Sequence, residues 1–139
     1  MQGKFKNIKL SKLCKAAQDG NLEDVRNIIA ASRSRDENPS VLNLQEVLNV
    51  AIEYAHFNVV KYIIEAYRKD KQLDVLNMAL NFCAKLGKLS YLKDIIDTYY
   101  SKDTDAKFAD LDSALLLAIK EKGAEQFHVV EYMLKQYAK

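Results

Sequence analysis

The sequence predicts an all-α fold, a solenoid of four stacked helix–turn–helix pairs. One apolar pattern recurs four times, and its equivalent residues Val25, Val60, Leu92 and Val130 are separated by 35, 32 and 38 residues. No segment alternates between apolar and polar residues as a strand would, and the chain has one proline and four glycines. A repeat of this length is typical of solenoids, in which each unit buries its apolar face against its neighbours.

The composition favours one folded domain over residues 1–139. Hydrophobic residues make up 49% of the 139 residues, which is enough for a packed core. We assign the repeats to residues 11–32, 43–67, 74–99 and 110–137. No apolar run approaches the ~20 residues of a membrane-spanning helix, and the first residues lack the apolar segment of a secretory signal. We therefore expect an intracellular, cytoplasmic protein without a transmembrane segment.

The first helix of each repeat is predicted from a large apolar residue that is followed three positions later by alanine or cysteine. The four segments are 13–17, 48–52, 80–84 and 115–119. Small residues at this spacing let neighbouring helices approach to ~8 Å. Cys14 and Cys83 fall in two of these helices. Because they are two repeats apart and show no metal-ligand spacing, we expect both to be free, reduced thiols.

A turn and a second helix complete each repeat. Gly20, Ala55 and Gly87 are expected to end the first helices, since the chain there needs a left-handed or tightly packed residue. The second helices carry one apolar stripe at positions i, i+3, i+6 and i+7, which runs from Leu22 to Ile29 in the first repeat. These stripes predict that each second helix is buried along one side.

The connections between repeats are polar. The longest predicted loop covers residues 32–40, and others cover 68–72 and 101–105. In the fourth repeat, three inserted residues at 124–126 precede Phe127, where the apolar pattern resumes.

The segment 16–25, which reads AAQDGNLEDV, resembles the core of an ankyrin repeat, whose pattern is A-A-x-x-G-H-L-E-V-V. Residues 51–60 and 83–92 follow this pattern more loosely, and residues 113–118 resemble a degenerate T-P-L-H-x-A. The resemblance covers about residues 11–137 and implies ankyrin-like helix pairs. His56 stands at the histidine of the family's G-H step, which implies a local structural role.

The chain also departs from the ankyrin pattern. No repeat keeps the full T-P-L-H, and the G-A-D-V-N segment of the family's projecting hairpin is missing from every connection. The resemblance therefore implies helix pairs without hairpins. Divergent repeats of this kind are similar to those in effector proteins of intracellular bacteria and other intracellular pathogens. This similarity implies an effector that binds a host protein, in the cytoplasm of the source or the host cell.

The sequence contains no motif that indicates catalysis. It has no P-loop, no dinucleotide-binding glycine motif, no H-E-x-x-H and no paired-cysteine zinc site. Its two histidines, His56 and His128, fall at turns or early in second helices. We expect no catalytic residue, no metal, no cofactor and no small-molecule substrate. An enzyme with an unfamiliar site is kept as a separate hypothesis.

The leading hypothesis is a protein-interaction module that uses a concave groove. In ankyrin-like stacking the first helices line this groove, through positions 12, 15 and 19 of the first repeat and their equivalents. In repeats two to four these positions are largely apolar, and they include Val47, Ala79 and Ala114. An exposed apolar patch usually marks an interaction site. The predicted partner-binding residues are Val50, Tyr54, Phe82, Leu86 and Leu117. The alternative is that these positions are covered and belong to the core.

A second function hypothesis rests on the lysine-rich start of the chain. Lys4, Lys6, Lys9 and Lys12 are not interrupted by an acidic residue, and such a segment could bind nucleic acid or an anionic membrane. The alternative interpretation is a solvated N-terminal cap. The net charge of +2 is too small to favour nucleic acid as the partner.

Overall fold

The prediction of an all-α fold is confirmed. The computed structural model describes residues 3–100 and 109–137, with side chains described for 5–100 and 111–136. These residues form eight α-helices, one π-helical turn and a pairing of two very short strands. The predicted loop at 101–105 lies outside the described residues.

The chain divides into two compact units, Met1–Val75 and Leu76–Lys139. The first unit contains, in order, β1 (Gly3–Lys4), α1 (Asn7–Asp19), α2 (Leu22–Ser34), β2 (Glu37–Asn38), α3 (Val41–Glu53) and α4 (Phe57–Tyr67). The second contains α5 (Val75–Leu86), α6 (Leu89–Ile95), a π-helical turn (Ile96–Tyr100), α7 (Ala109–Glu121) and α8 (Ala124–Tyr137). Consecutive helices thus form four pairs, and pairs 1 and 2 lie in the first unit.

Pairs 1 and 2 pack side by side. Each first helix lies against the next first helix, α1 on α3, and each second helix lies against the next second helix, α2 on α4. The predicted stripes of both second helices belong to the core, since Val25, Ile29, Val60 and Ile64 are all buried. Apolar burial of this kind is the main force that holds short helices together.

The second unit is built on the same plan. α8 packs on α7 and on α6, and its buried residues are Val129 and Met133. α6 continues into the π-helical turn, which buries Tyr99 and Tyr100. A π-helical turn inserts one extra residue per turn and so rotates the following side chains. The sequence did not predict it.

The turn inside each pair has the same backbone geometry. Gly20, Ala55, Gly87 and Lys122 all have left-handed φ angles, of 70°, 64°, 71° and 57°. In pairs 1 to 3, this residue donates its N–H to the carbonyl three residues earlier, and the next residue donates to the carbonyl five residues before it. These two bonds define the Schellman motif that ends many helices. The turns predicted at Gly20, Ala55 and Gly87 are confirmed.

The three residues predicted as an insertion, 124–126, are helical. α8 begins at Ala124, directly after the turn, so the three residues form the first turn of that helix. Phe127, at which the apolar pattern was expected to resume, is exposed, and Val129 and Met133 form the buried side instead. The reason is physical: Phe127 lies on the side of α8 that points away from the helices packed against it.

The predicted loop at 32–40 is also shorter than expected. α2 continues through Ser34, since the Ser32 hydroxyl donates to the carbonyl of Ile28 and remains buried in the helix. Beyond α2, β2 pairs in parallel with β1, with Gly3 opposite Glu37. Lys9 forms a hydrogen-bonded ion pair with Glu37, which holds the pKa of that carboxyl below its usual value. The N-terminus is thereby attached to the connection between pairs.

Candidate functional site

Two positions of the first helix stay open to solvent in every pair. They are four residues apart and therefore lie on one face of the helix. The four couples are Lys15 and Asp19, Val50 and Tyr54, Phe82 and Leu86, and Leu117 and Glu121, and none of these eight residues is buried. In pair 1 the couple is an ion pair, with Lys15 Nζ 3.2 Å from Asp19 Oδ1. In the other pairs at least one member is a large apolar residue.

In the first unit, the apolar couple is carried by α3. Ser40 begins this helix with a capping box, in which its hydroxyl accepts from the Asn43 N–H and the Asn43 side chain accepts from the Ser40 N–H. The helix ends at Tyr54, whose N–H donates to the carbonyl of Val50, and Ala55 then turns the chain. Tyr54 is 50% exposed, and Val50 is half-buried one turn before it.

In the second unit, the same positions fall on α5 and α7. Phe82 and Leu86 are half-buried and lie in the last two turns of α5, just before the turn at Gly87. Leu117 is half-buried on α7, and its couple ends in the exposed Glu121. The five residues predicted to bind a partner are therefore distributed as Val50 and Tyr54 in one unit and Phe82, Leu86 and Leu117 in the other. That they bind a partner stays a prediction.

The prediction that the groove includes Val47, Ala79 and Ala114 is wrong. All three side chains are fully buried. Val47 lies in the centre of the buried side of α3, which comprises Leu44, Val47, Leu48, Ala51 and Ile52. α1 packs on α3, so this side of the helix is covered by the preceding pair. The alternative that these positions are core is correct for them.

A second apolar surface, which the sequence did not predict, lies on pair 4. We call it the outer face and define it by Leu116 and Ile119 of α7 with Phe127, Val130 and Leu134 of α8. Leu116, Ile119, Phe127 and Leu134 are between 49% and 66% exposed. A cavity of about 230 Å³ lies between the two helices, where Ile119, Phe127 and Val130 line it beside Lys122. Comparison with the first repeat could have found this face.

The corresponding surface of the first unit carries charged side chains. A groove of about 710 Å³ runs between α1 and α2. Its lining combines the apolar residues Ile8, Ala16 and Ile28 with charged side chains, and Ile8 is 69% exposed. The lining residues are Ile8, Ser11, Lys12, Lys15, Ala16, Asp19, Asp24, Asn27 and Ile28. Lysines and carboxylates are thus mixed in this groove, and Lys15 is already paired with Asp19.

His56 holds pairs 1 and 2 together. Its Nε2 lies 2.9 Å from the backbone carbonyl of Gln18, so Nε2 must carry the proton and donate it. A Cβ at Gly20 would lie 2.5 Å from His56 Nδ1, so only glycine leaves room for this ring. The contact agrees with the structural role that the ankyrin resemblance implied for His56.

The same arrangement joins pairs 3 and 4. Gln126 donates from Nε2 to the carbonyl of Lys85 over 2.7 Å. Lys85 precedes Gly87 as Gln18 precedes Gly20, and a Cβ at Gly87 would meet Glu125 Cβ at 2.6 Å. Gln126 therefore has the same role as His56, since each side chain donates to a backbone carbonyl of the preceding pair. The two residue types share no sequence pattern. An amide N–H and an imidazole N–H are equivalent donors here.

The outer side of the second helices is joined by cations on tyrosine rings. The Arg26 guanidinium lies 5.4 Å from the Tyr62 ring centroid, and the Lys93 ammonium lies 5.2 Å from that of Tyr132. Both cations stand at equivalent positions of the repeat, one residue after Val25 and one residue after Leu92. A cation over a ring stabilises by about 0.5–1 kcal/mol at such exposed sites. The sequence did not predict these contacts, because each one joins residues of two different repeats.

The two thiols are protonated and show no arrangement for nucleophilic chemistry. Both cysteines are free, as predicted. Burial, with the nearby charge of Glu46, raises the pKa of the Cys14 thiol, and burial raises that of Cys83 to about 12. A reactive cysteine needs a lowered pKa. In the described part of the chain, no three His, Cys, Asp or Glu side chains are grouped closely enough to bind a metal ion.

Comparison with protein-family models, with curated protein sequences and with solved structures found no match to this chain. Among the described helices, none combines the length and the apolar character needed to cross a bilayer.

Proposed function

We propose that the chain is a non-enzymatic protein-interaction module, built as a stack of four divergent, hairpin-free ankyrin-like helix pairs. The observation that carries this proposal is the open couple on each first helix. Neutral residues occupy it in pairs 2 and 3, where pair 1 has an ion pair. Helical-repeat stacks commonly bind partners through the surface that their first helices share. The partner that fits these couples is a protein with apolar side chains at its contact surface.

The proposed partner-binding residues are Val50 and Tyr54 in the first unit and Phe82, Leu86 and Leu117 in the second. Tyr54 is the strongest candidate anchor, because it is half exposed and amphipathic, and aromatic residues carry much of the energy of interfaces. Charged residues are depleted at the centres of interfaces, and these five residues are all uncharged. The resemblance to pathogen effector repeats makes a host protein the partner class to search first.

Binding to nucleic acid or to anionic membranes through the N-terminal lysines is less well supported. Lys9 is engaged in the ion pair with Glu37, and Lys15 is paired with Asp19. Lysines that neutralise carboxylates of the same chain are less available to phosphates, whose binding depends on the release of counterions.

The proposal is tested by partner capture from lysate, followed by quantitative binding of the captured protein. Tyr54→Ala and Phe82→Ala should each weaken binding by about 30-fold or more, the effect of losing an aromatic anchor. Leu42→Ala is the matched control, because Leu42 is a large apolar residue of the same helix as Tyr54 and is 70% exposed. It should bind normally.

Two results would contradict the proposed site. If Phe82→Ala lowers the melting midpoint strongly, Phe82 belongs to the core and not to a binding surface. If Tyr54→Ala and Phe82→Ala fold and bind as well as Leu42→Ala, the partner binds elsewhere. A salt titration with DNA and with anionic vesicles completes the test, since a steep loss of binding with salt would support the lysine-based alternative instead.

A further inference from the structure

The outer face of pair 4 corresponds to a surface that is covered in the earlier pairs. Ile119 is equivalent to Ala17 of pair 1, and Leu134 is equivalent to Ile29. Ala17 and Ile29 are buried, in a unit where pair 2 packs on pair 1. Ile119 and Leu134 are about half exposed. The outer face therefore corresponds to the surface that pair 1 presents to pair 2. Within the described residues, no following pair covers it.

Contacts across the seam of pairs 1 and 2 confirm this correspondence. Cys14, the equivalent of Leu116, lies close enough to Glu46 of α3 for that charge to raise its pKa. On α2, Arg26 reaches Tyr62 of α4. The residue equivalent to Arg26 in pair 4 is Glu131, which lies between Phe127 and Leu134 on the exposed side of α8. In pair 1 these positions face pair 2.

The size of the outer face is that of an interaction surface. Four large apolar side chains at about half exposure leave on the order of 400 Å² of apolar area, a size at which patches on monomers tend to be functional. Pair 1 has the charged, exposed Lys12 and Asp24 where pair 2 has the buried Val47 and Val59.

The groove of pair 1 fits the outer face of a second molecule poorly, because Lys12 and Asp24 line it. Head-to-tail stacking would bury Lys12 and Asp24 against Leu116 and Phe127. Charges that leave water without a close partner cost several kcal/mol each. The outer face of a second copy, in contrast, offers apolar groups to apolar groups.

The charges at the edge of the outer face are complementary under two-fold symmetry. Lys120 and Lys122 are exposed at the end of α7, and Glu131 is exposed on α8. If α7 of one copy lies against α8 of the other, the lysines of each copy face the glutamate of the other. Two-fold symmetry produces this contact twice. Complementary edge charges fix the orientation of such an interface.

We propose that the protein forms a two-fold dimer in which the outer face of pair 4 packs on the same face of a second copy. Phe127 and Leu134 lie at its centre, and Lys120, Lys122 and Glu131 form its edge. The dimer leaves the open couples of the first helices, and hence the proposed partner-binding site, outside the interface. The dimer and the partner-binding function are independent of each other.

The test is sedimentation equilibrium of the full chain over the micromolar range, with the mass compared with the 15.9 kDa of one copy. The wild type should approach twice that mass. Phe127→Glu and Leu134→Glu should remain monomeric, with unchanged helical circular dichroism, because both side chains are more than half exposed. Leu42→Glu, a matched charge at a 70% exposed leucine outside the outer face, should dimerise like the wild type.

Three outcomes would overturn the dimer. The first is a wild type that stays monomeric throughout this concentration range. The second is dimerisation that persists in both Phe127→Glu and Leu134→Glu. The third is growth into species larger than dimers, which indicates head-to-tail contact. Phe127→Ala provides a milder variant should a glutamate disturb folding, and it should raise the dimer dissociation constant by at least tenfold while the melting midpoint stays within a few degrees of wild type.

Discussion

Gly20 and Ala55 occupy the same position in pairs 1 and 2, but only Ala55 carries a Cβ in this left-handed backbone conformation. Both have left-handed φ angles, a conformation that costs a residue with a Cβ about 1–2 kcal/mol. At Gly20 a Cβ would also collide with the His56 ring at 2.5 Å. Ala55 is exposed, so its Cβ contributes little packing to offset the same backbone cost. Sequence alone showed that a turn was present, but not which of the two residues is strained.

Substitutions at these two positions should change stability in opposite directions. Gly20→Ala should destabilise the protein by about 1–3 kcal/mol, because it adds backbone strain and displaces His56 from the Gln18 carbonyl. Ala55→Gly should stabilise it by about 0.5–1 kcal/mol, because the strain is relieved. Urea unfolding of both variants measures these changes. Equal and small effects of the two substitutions would show that the turn geometry is not the one described.

Among the helices, the second helix of each pair was predicted best. Its stripe of branched apolar residues at helical spacing is a strong signal, and Ile63 and Ile95 are indeed fully buried. The first helices were predicted in position, but the exposed and buried sides were confused, as Val47 shows. Alanine and valine occur on both sides of such helices, so composition cannot assign the face. The π-helical turn after Ile95 has no propensity signature at all.

The burial of Ile63 in α4 and Ile95 in α6 sets the stability of these two helices. Ile63→Ala and Ile95→Ala should each lower the free energy of unfolding by about 2–5 kcal/mol, the usual cost of a cavity at a fully buried isoleucine. Leu42→Ala is the matched control, because Leu42 is 70% exposed on α3 and lies outside the outer face, so its truncation should cost much less. Urea titration of the three variants decides the matter. Losses below about 1 kcal/mol at both isoleucines would refute the burial of these helices.

Pairs 1 and 4 differ in a way that hydrophobic periodicity alone does not reveal. Pair 1 carries the exposed charges of Lys12 and Asp24, whereas Leu116 and Phe127 make the outer face of pair 4 apolar. The signal was present in the sequence, as apolar residues at positions that a neighbouring pair normally covers. This signal can be recognised only when the burial of each position in one repeat is known and is compared with the residue types at the equivalent positions of the other repeats. The same knowledge of burial was needed to decide which of the predicted groove residues are exposed.

The stability of the folded chain toward alkali depends on one thiol in particular. Burial raises the pKa of Cys83 to about 12, whereas its ordinary value is 9.0. The folded state therefore keeps the proton at pH values where the unfolded state releases it. A group with a raised folded pKa contributes stability that is complete below the unfolded pKa and is lost as pH rises toward the folded value. For Cys83 this window extends from about pH 9 to about pH 12.

Replacement of Cys83 should remove this part of the pH dependence. Between pH 8 and pH 10, the free energy of unfolding of the wild type should fall by about 1.4 kcal/mol more than that of Cys83→Ala, because one pKa unit corresponds to this amount. The cavity left by the substitution does not change with pH and cancels in the comparison. Cys14→Ala is the control, since Cys14 is only half-buried and its variant should track the wild type more closely. Urea titrations at the two pH values provide the measurement, and parallel losses in wild type and Cys83→Ala would show that the thiol is not protected by burial.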